Sequence, residues 1–222
     1  MTPWTDFALF GLFPYVALAL AVLGTVERYR RHPFSCTSAS SQFLENRQHF
    51  WGFLPFHAGI LVVLALHVAG VFLAAPLAAL GASPGWLFAV EAVALASGLL
   101  ATAGFAVILF RRATHATLRA GTRPLDAVVY ALLFVQLAVG VAVALAHTWG
   151  AAWYGAVAAP YFLSLLRLSP DVALVAALPV LVKVHIAGAW LLVGLFPFSR
   201  LVHIVAVPNP YLWRKPQIVR WS

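Results

Sequence analysis

The sequence predicts an all-α membrane protein, a bundle of five transmembrane helices with the N-terminus outside and the C-terminus in the cytoplasm. Its 222 residues are 63% hydrophobic and only 9% charged, with a mean hydropathy of +0.93. A soluble domain carries about 25% charged residues, so this chain has too few to cover a water-facing surface. We therefore expect a multi-pass protein of the cytoplasmic membrane, in contact with lipid.

Five apolar segments reach the roughly 20 residues that a spanning helix needs. They are Phe7–Val26, Trp51–Leu80, Trp86–Phe110, Leu125–His147 and Val172–Phe198. The first is expected to remain as an anchor, because the residues before it include Asp6 and no Lys or Arg, whereas a cleavable signal begins with basic residues. The second is long enough to tilt or to extend beyond the hydrocarbon. The fifth follows Ser169-Pro170-Asp171, which resembles a helix start with Ser as the N-cap.

The stretch between the fourth and fifth segments is apolar enough over Ala151–Leu168 to imitate a sixth span. Pro160 and Arg167 weaken that interpretation, and a sixth span would place the basic C-terminal tail outside. We interpret Thr148–Asp171 as an interfacial helix or a lid over the outer face.

Basic residues concentrate in three of the connections. The stretches 27–49, 111–123 and 200–222 hold 12 of the 14 Lys and Arg residues, and the positive-inside rule places them in the cytoplasm. The net charge of +8 therefore indicates membrane topology and not a nucleic-acid partner. We divide the chain into a membrane domain, residues 1–200, and a cytoplasmic tail, residues 201–222. The tail mixes basic and aromatic residues, a composition suited to docking partner subunits.

Four histidines in or beside two of the segments indicate the chemistry. A histidine at membrane depth is costly, because its ring nitrogens need partners where water is absent. His57 and His67 lie ten residues apart, about 15 Å along a helix, and His185 and His203 lie 18 apart, about 27 Å or five whole turns. The two segments are antiparallel. Pairing by depth therefore gives His57 with His203 and His67 with His185.

A single membrane histidine more often makes an interhelical hydrogen bond, but two depth-matched pairs favour a metal. Zinc and di-iron sites usually use carboxylates or cysteines, and the spans contain only Glu91 and Asp126 as acids, near their ends. Haem iron needs only two neutral imidazoles, so the pattern favours two bis-histidine b haems. The small residues beside the histidines have two interpretations, clearance for a flat macrocycle or close helix packing. They are Ala58-Gly59, Ala69-Gly70 and Ala187-Gly188.

Three basic residues are further candidates for cofactor binding. Lys183, near the outer boundary, would snorkel, pair with a haem propionate or bind a quinone oxygen. Arg111 and Arg112 would bind inner-haem propionates, or act only as topology signals. His147, at the outer end of the fourth segment, would contact a quinone or lie in the interface.

Several motifs resemble one known family. They are Ala39-Ser40-Ser41-Gln42, Phe56-His57-Ala58-Gly59-Ile60-Leu61, Arg111-Arg112, Gln136-Leu137-Ala138-Val139-Gly140, and the long run Leu195-Phe196-Pro197-Phe198-Ser199-Arg200-Leu201-Val202-His203-Ile204 with the tail after it. Over nearly its whole length the chain resembles the gamma subunit of respiratory nitrate reductase, the membrane cytochrome b of that complex.

The resemblance implies two b haems, one held by His57 and His203 near the cytoplasmic subunits and a distal one held by His67 and His185. Quinol would be oxidised at the outer face. Electrons would then pass inward to an iron–sulfur beta subunit and a molybdenum alpha subunit, where nitrate becomes nitrite.

The chain departs from the family pattern at the quinol pocket. The family has a lysine near the start of helix three, whereas this chain has none between His67 and Lys183, and it has Leu66 where the family has glycine. Lys183 is the expected substitute for that lysine.

Two other functions also fit the histidine pattern. One is a dihaem cytochrome b subunit of another quinone-linked oxidoreductase complex. The other is a histidine-containing membrane transporter, although the sequence has neither the broken helices nor the inverted repeat of transporters.

Overall fold

The computed structural model describes residues 2–32, 49–73, 83–147 and 150–205, and every regular element in these ranges is a helix. Five of the helices are long and apolar enough to cross a membrane. We label them α1, Pro3–Arg31 (which includes a wider π-helical stretch, Phe7–Leu12), α2, His49–Phe72, α3, Pro84–Thr114, α4, Pro124–Ala146, and α5, Val180–Leu195. The predicted all-α membrane fold with five spanning helices is confirmed. The orientation of the termini stays a prediction.

Proline and basic residues mark the helix ends. Pro3, Pro84 and Pro124 lie in the first turns of α1, α3 and α4, where the missing N–H of proline leaves no bond unmade. Arg111 and Arg112 lie in the last turn of α3, where their positive charge complements the helix dipole. The sequence thus sets these boundaries locally.

The helices pack in the order α2, α3, α4, α5, α1. The closest approach joins α2 to α3: a Cβ atom added to Gly59 would lie 2.6 Å from the backbone nitrogen of Ala101, and one added to Gly104 would lie 2.9 Å from the carbonyl oxygen of Gly52. Glycine therefore lets these two backbones touch, as is common between membrane helices. Close helix packing, and not clearance for a cofactor, explains Gly59.

The connection between α4 and α5 folds over one end of the bundle. It forms helices Gly150–Trp153, Tyr154–Ala158 and Ala159–Leu166, and its apolar part, Tyr154–Leu166, is too short to span. The stretch is helical without adding a sixth span, as predicted. Its interfacial position stays a prediction.

Two tyrosine hydroxyls tie this connection to α1. Tyr161 donates to the carbonyl of Phe10 at 2.8 Å, and Tyr15 donates to the carbonyl of Leu165 at 3.0 Å. The residue four positions after Phe10 is Pro14, which has no N–H for that carbonyl. Tyr161 therefore supplies the donor that the helix lacks.

The fifth predicted segment is not one helix, and this part of the prediction was wrong. A short helix covers Val172–Ala176, and α5 begins at Val180, directly after Pro179. The chain breaks there because proline cannot continue the preceding helix. Asp171, not Ser169, precedes the short helix, and its side chain makes no capping bond.

The same segment ends at Phe198, as predicted, but its last residues leave the α-helix. After Leu195 the chain forms a 3₁₀ turn, Phe196–Phe198, an extended Ser199 and a second 3₁₀ turn, Arg200–Ile204. His203 therefore lies beyond α5, so the predicted five whole helical turns between His185 and His203 do not exist. The predicted second segment reaches beyond α2 into residues 74–80. These residues, Cys36, the motif at 39–42 and tail residues 206–222 lie outside the described ranges.

The helix Ala159–Leu166 ends in a Schellman motif that places a leucine in the left-handed region. The N–H of Ser169 donates to the carbonyl of Ser164 and that of Leu168 to Leu165, and Leu168 has φ 59°. This position favours glycine, and Leu168 is 79% exposed. We expect Leu168→Gly to raise the free energy of unfolding by about 1 kcal/mol relative to Leu168→Ala. Thermal unfolding in detergent measures it; equal stability of the two variants would contradict the strain.

Candidate cofactor sites

Two pairs of histidine rings face each other, one toward each end of the bundle. The ring centroids of His57 and His203 lie 6.4 Å apart with an interplanar angle of 62°, and those of His67 and His185 lie 6.3 Å apart at 45°. In each pair one ring comes from α2 and the other from α5 or the turn after it. The structure therefore places side by side the histidines that were paired by depth.

The ring separations match a single metal atom between two imidazoles. A metal–imidazole bond is about 2.0–2.1 Å long and the ring centroid lies about 1.1 Å beyond the nitrogen, so a linear nitrogen–metal–nitrogen unit separates the centroids by roughly 6.3 Å. The described residues contain no group of three or more His, Cys, Asp or Glu side chains that would hold a metal ion. A metal here would therefore take two protein ligands, which is the donor set of bis-imidazole haem iron.

Hydrogen bonds at Nδ1 orient three of the four rings. His57 Nδ1 lies 2.9 Å from the carbonyl oxygen of Phe53, His67 Nδ1 lies 2.7 Å from that of Val63, and His203 Nδ1 lies 2.6 Å from that of Arg200. A neutral imidazole that donates from Nδ1 to a carbonyl keeps the lone pair of Nε2 for a metal. In His185, by contrast, Nδ1 is buried and has no hydrogen-bond partner.

Two residues of α4 shape the surroundings of His185. A Cβ atom added to Gly140 would lie 2.8 Å from His185 Cε1, and Gln136 Nε2 donates to the carbonyl of His185 at 2.9 Å. Residues four apart share one helix face, so one face of α4 both makes room for the ring and holds its backbone. Sequence reasoning gave neither residue a role, although the Gln-x-x-x-Gly spacing could have indicated a shared face.

Two further glycines near the histidines pack against side chains. A Cβ atom added to Gly70 would lie 2.6 Å from the ring of Tyr154, and one added to Gly188 would collide with the side-chain oxygen of Gln136. These glycines therefore serve close packing, the second of the two interpretations that the sequence allowed.

Charged residues surround the His57–His203 end. Arg200 Nε lies 2.9 Å from Asp126 Oδ2. Arg112 donates to Thr122 at 2.9 Å, and its guanidinium lies 4.7 Å above the ring of Tyr130. Arg111 is buried, with 2% of its surface exposed. The structure thus places both predicted propionate-binding arginines at this end of α3, where their propionate role remains a proposal.

A pocket of about 310 Å³ opens beside the His67–His185 end. Its lining comes from the end of α4, the connection between α4 and α5, and the start of α5: Ala146, His147, Trp153, Leu178, Pro179 and Val182. Val182 precedes His185 by about one turn.

Tyr154, next to Trp153, donates to the carbonyl of His67 at 3.1 Å, and its ring centroid lies 5.6 Å from that of His67. Burial raises the pKa of Tyr154 to about 12, so the phenol stays a hydrogen-bond donor.

A match between the amino-acid sequence and a family model decides which family the chain belongs to. The family model described as nitrate reductase gamma subunit matches residues 6–222. The chain belongs to the nitrate reductase gamma subunit family.

Individual relatives agree with the family match. The nitrate reductase gamma chain of Bacillus subtilis is 30% identical over 96% of both chains. The respiratory nitrate reductase 1 gamma chain of Escherichia coli is 28% identical over 95% of both. The nitrate reductase-like protein NarX of Mycobacterium tuberculosis is 35% identical over 93% of this chain, which spans 32% of that longer protein. This gamma subunit family member is therefore a membrane subunit of respiratory nitrate reductase.

In this family member Lys183 has a buried partner. Its Nζ lies 3.3 Å from Asp6 Oδ1, and both side chains are less than a tenth exposed. The pair joins the start of α5 to the start of α1, within the apolar cluster that includes Phe10, Tyr161 and Ile186. The ammonium thus has a structural function, and its predicted role toward quinol remains a proposal.

We expect Lys183→Met to lower the free energy of unfolding by about 3 kcal/mol, because it leaves the Asp6 carboxylate buried without its partner. The double variant Asp6→Leu/Lys183→Met should recover most of that loss. Thermal unfolding in detergent measures both. The matched control is Arg31→Met, which breaks the exposed ion pair with Glu27 and should change stability by less than about 1 kcal/mol. A single variant as stable as the parent would show that the buried pair is not structural.

Proposed function

We propose that the chain is the quinol-oxidising, dihaem cytochrome b subunit of a respiratory nitrate reductase. The observation that carries the proposal is the pair of facing imidazoles near each end of the bundle, at 6.4 Å and 6.3 Å. Both separations suit one metal atom between two nitrogens, and haem iron accepts that donor set without further protein ligands. Membership of the gamma subunit family supports the same conclusion.

Two cofactors at different depths would shorten each electron-transfer step across the membrane. The hydrocarbon core is about 30 Å thick, and one haem at each histidine pair would supply one-electron transfer in two shorter steps. His57 and His203 would hold the inner group, His67 and His185 the outer one. The Nδ1–H bonds of His57, His67 and His203 to carbonyls raise the basicity of those rings as ligands. Arg111 and Arg112 would neutralise propionates at the inner end.

Quinol would bind in the pocket that His147 and Trp153 line, at the outer end. Oxidation of one quinol to quinone releases two electrons, which pass inward, and two protons, which leave on the outer side. His147 is the pocket's imidazole, the side chain that exchanges protons most readily near neutral pH. Lys183 is a second candidate, because it follows Val182, a lining residue, and would stabilise negative charge on a quinol oxygen.

The electrons would leave at the His57–His203 end toward an iron–sulfur beta subunit and then a molybdenum alpha subunit, which reduces nitrate. We propose that the tail, residues 201–222, docks these partners on the cytoplasmic side of the cell membrane. Its aromatic and arginine residues are of the types that carry most binding energy at interfaces.

The haem assignment predicts that replacing either histidine of a pair removes only the haem at that end of the bundle. His67→Ala and His185→Ala should each remove the outer b haem, whereas His57→Ala and His203→Ala should each remove the inner one. Redox titration of the haem absorbance in purified protein distinguishes the two by midpoint potential. His115→Ala, a histidine outside both pairs, is the control and should keep both. The pairing would be overturned if His67→Ala and His185→Ala removed different haems.

The pocket assignment predicts that His147→Ala lowers kcat/KM for quinol at least tenfold, since a positioned base contributes about 10²-fold or more. Turnover with an artificial donor that reduces the catalytic subunit directly should not change. His115→Ala serves again as the control. Unchanged quinol kinetics in His147→Ala would remove this residue from the site. The charge-free double variant Asp6→Leu/Lys183→Met then tests Lys183, which must lose quinol turnover while staying folded if its ammonium binds quinol.

A further inference from the structure

The four histidines differ in what holds them. His57 and His67 donate from Nδ1 to carbonyls four residues earlier in their own helix, Phe53 and Val63, so the regular backbone of α2 orients both rings. His203 differs, because it lies in the short 3₁₀ turn Arg200–Ile204, after α5 has ended. Its Nδ1 pairs with the carbonyl of Arg200 at 2.6 Å. The direction of the His203 ring therefore depends on where the backbone of Arg200 lies.

The side chain of Arg200 anchors that backbone to the start of α4. Its Nε donates to Asp126 Oδ2 at 2.9 Å, and its Nη2 donates to the carbonyl of Gly121 at 3.1 Å. The ion pair is largely buried, with 22% of the Arg200 side chain and 7% of the Asp126 side chain exposed. A charge-assisted bond in this setting is strong and directional.

Asp126 is itself fixed. The same Oδ2 accepts the N–H of Arg123 at 3.2 Å, which completes the capping interaction at the first turn of α4. A continuous series of bonds therefore runs from a rigid helix end through Asp126 and Arg200 to the ring of His203. Asp126 does not need to touch the cofactor to act on its ligand.

We propose that Asp126 is a positioning residue for His203, and that it sets the orientation of this imidazole through Arg200. The inference rests on the proposed function, in that His57 and His203 hold the inner haem. It adds a role for an acid on a different helix, about 75 residues away in sequence, by the general logic that outer partners orient metal ligands.

The test compares Asp126→Asn with Arg200→Gln in the assembled complex, by redox titration and by low-temperature electron paramagnetic resonance of the oxidised haems. A purely electrostatic effect would shift the midpoint potential of the inner haem in opposite directions in the two variants. Loss of the negative charge in Asp126→Asn would raise it, and loss of the positive charge in Arg200→Gln would lower it. A positioning effect disturbs the ring in both variants, so both should shift or broaden the low-spin signal of the inner haem. Asp126→Glu, which keeps the ion pair, should restore much of the signal.

The outer haem in the same sample is the internal control for folding, and Glu27→Gln, an exposed carboxylate at the same end, is the matched control variant. Potentials that move in opposite directions with an unchanged inner-haem signal would overturn the proposal, as would two variants identical to the parent. A parent complex without haem would overturn the proposed function itself, so the two failures are distinguishable.

Discussion

A polar ring inside an apolar bundle must find a partner, and this constraint shapes the whole molecule. Four imidazoles lie on two antiparallel segments, and each faces another across a gap that suits one metal atom. In hydrocarbon, where water is absent, a misplaced ring would leave its nitrogen atoms unsatisfied at a cost of several kcal/mol. The depth of each histidine, the glycine contact between α2 and α3, and the room that Gly140 leaves for His185 are all consistent with this requirement.

The two ends of the fifth segment are held by two buried ion pairs. At the start of α5 Lys183 pairs with Asp6 of α1, and beyond the end of α5 Arg200 pairs with Asp126 of α4. Both acids lie in or near the first turn of their helix, where a negative charge also complements the helix dipole. Because each ion pair is largely buried, it fixes the direction of its two side chains as well as the distance between them. The segment that carries His185 and His203 is thus secured at both ends by carboxylates from other helices.

The five spans could be predicted from the sequence because hydrophobic length and basic connections depend only on local composition. The pairing of His57 with His203 and of His67 with His185 was also accessible, since depth follows from residue counting along antiparallel helices. The break at Pro179 was not predicted, although proline is a local signal for the end of a helix. Arg28 donates to the carbonyls of Pro197 and Ser199 at 2.6 Å and 2.9 Å, a contact between residues far apart in sequence. The buried partners of Lys183 and Arg200 are distant in the same way, so no local pattern could indicate them.

The proposed electron transfer depends most on one haem at each facing histidine pair. The most direct measurement is the number of b haems per chain in the purified complex, from a reduced-minus-oxidised absorption spectrum combined with protein quantification. We expect two b haems per gamma chain, with two resolvable midpoint potentials. One haem, no haem, or a different metal bound to the histidines would contradict the proposal.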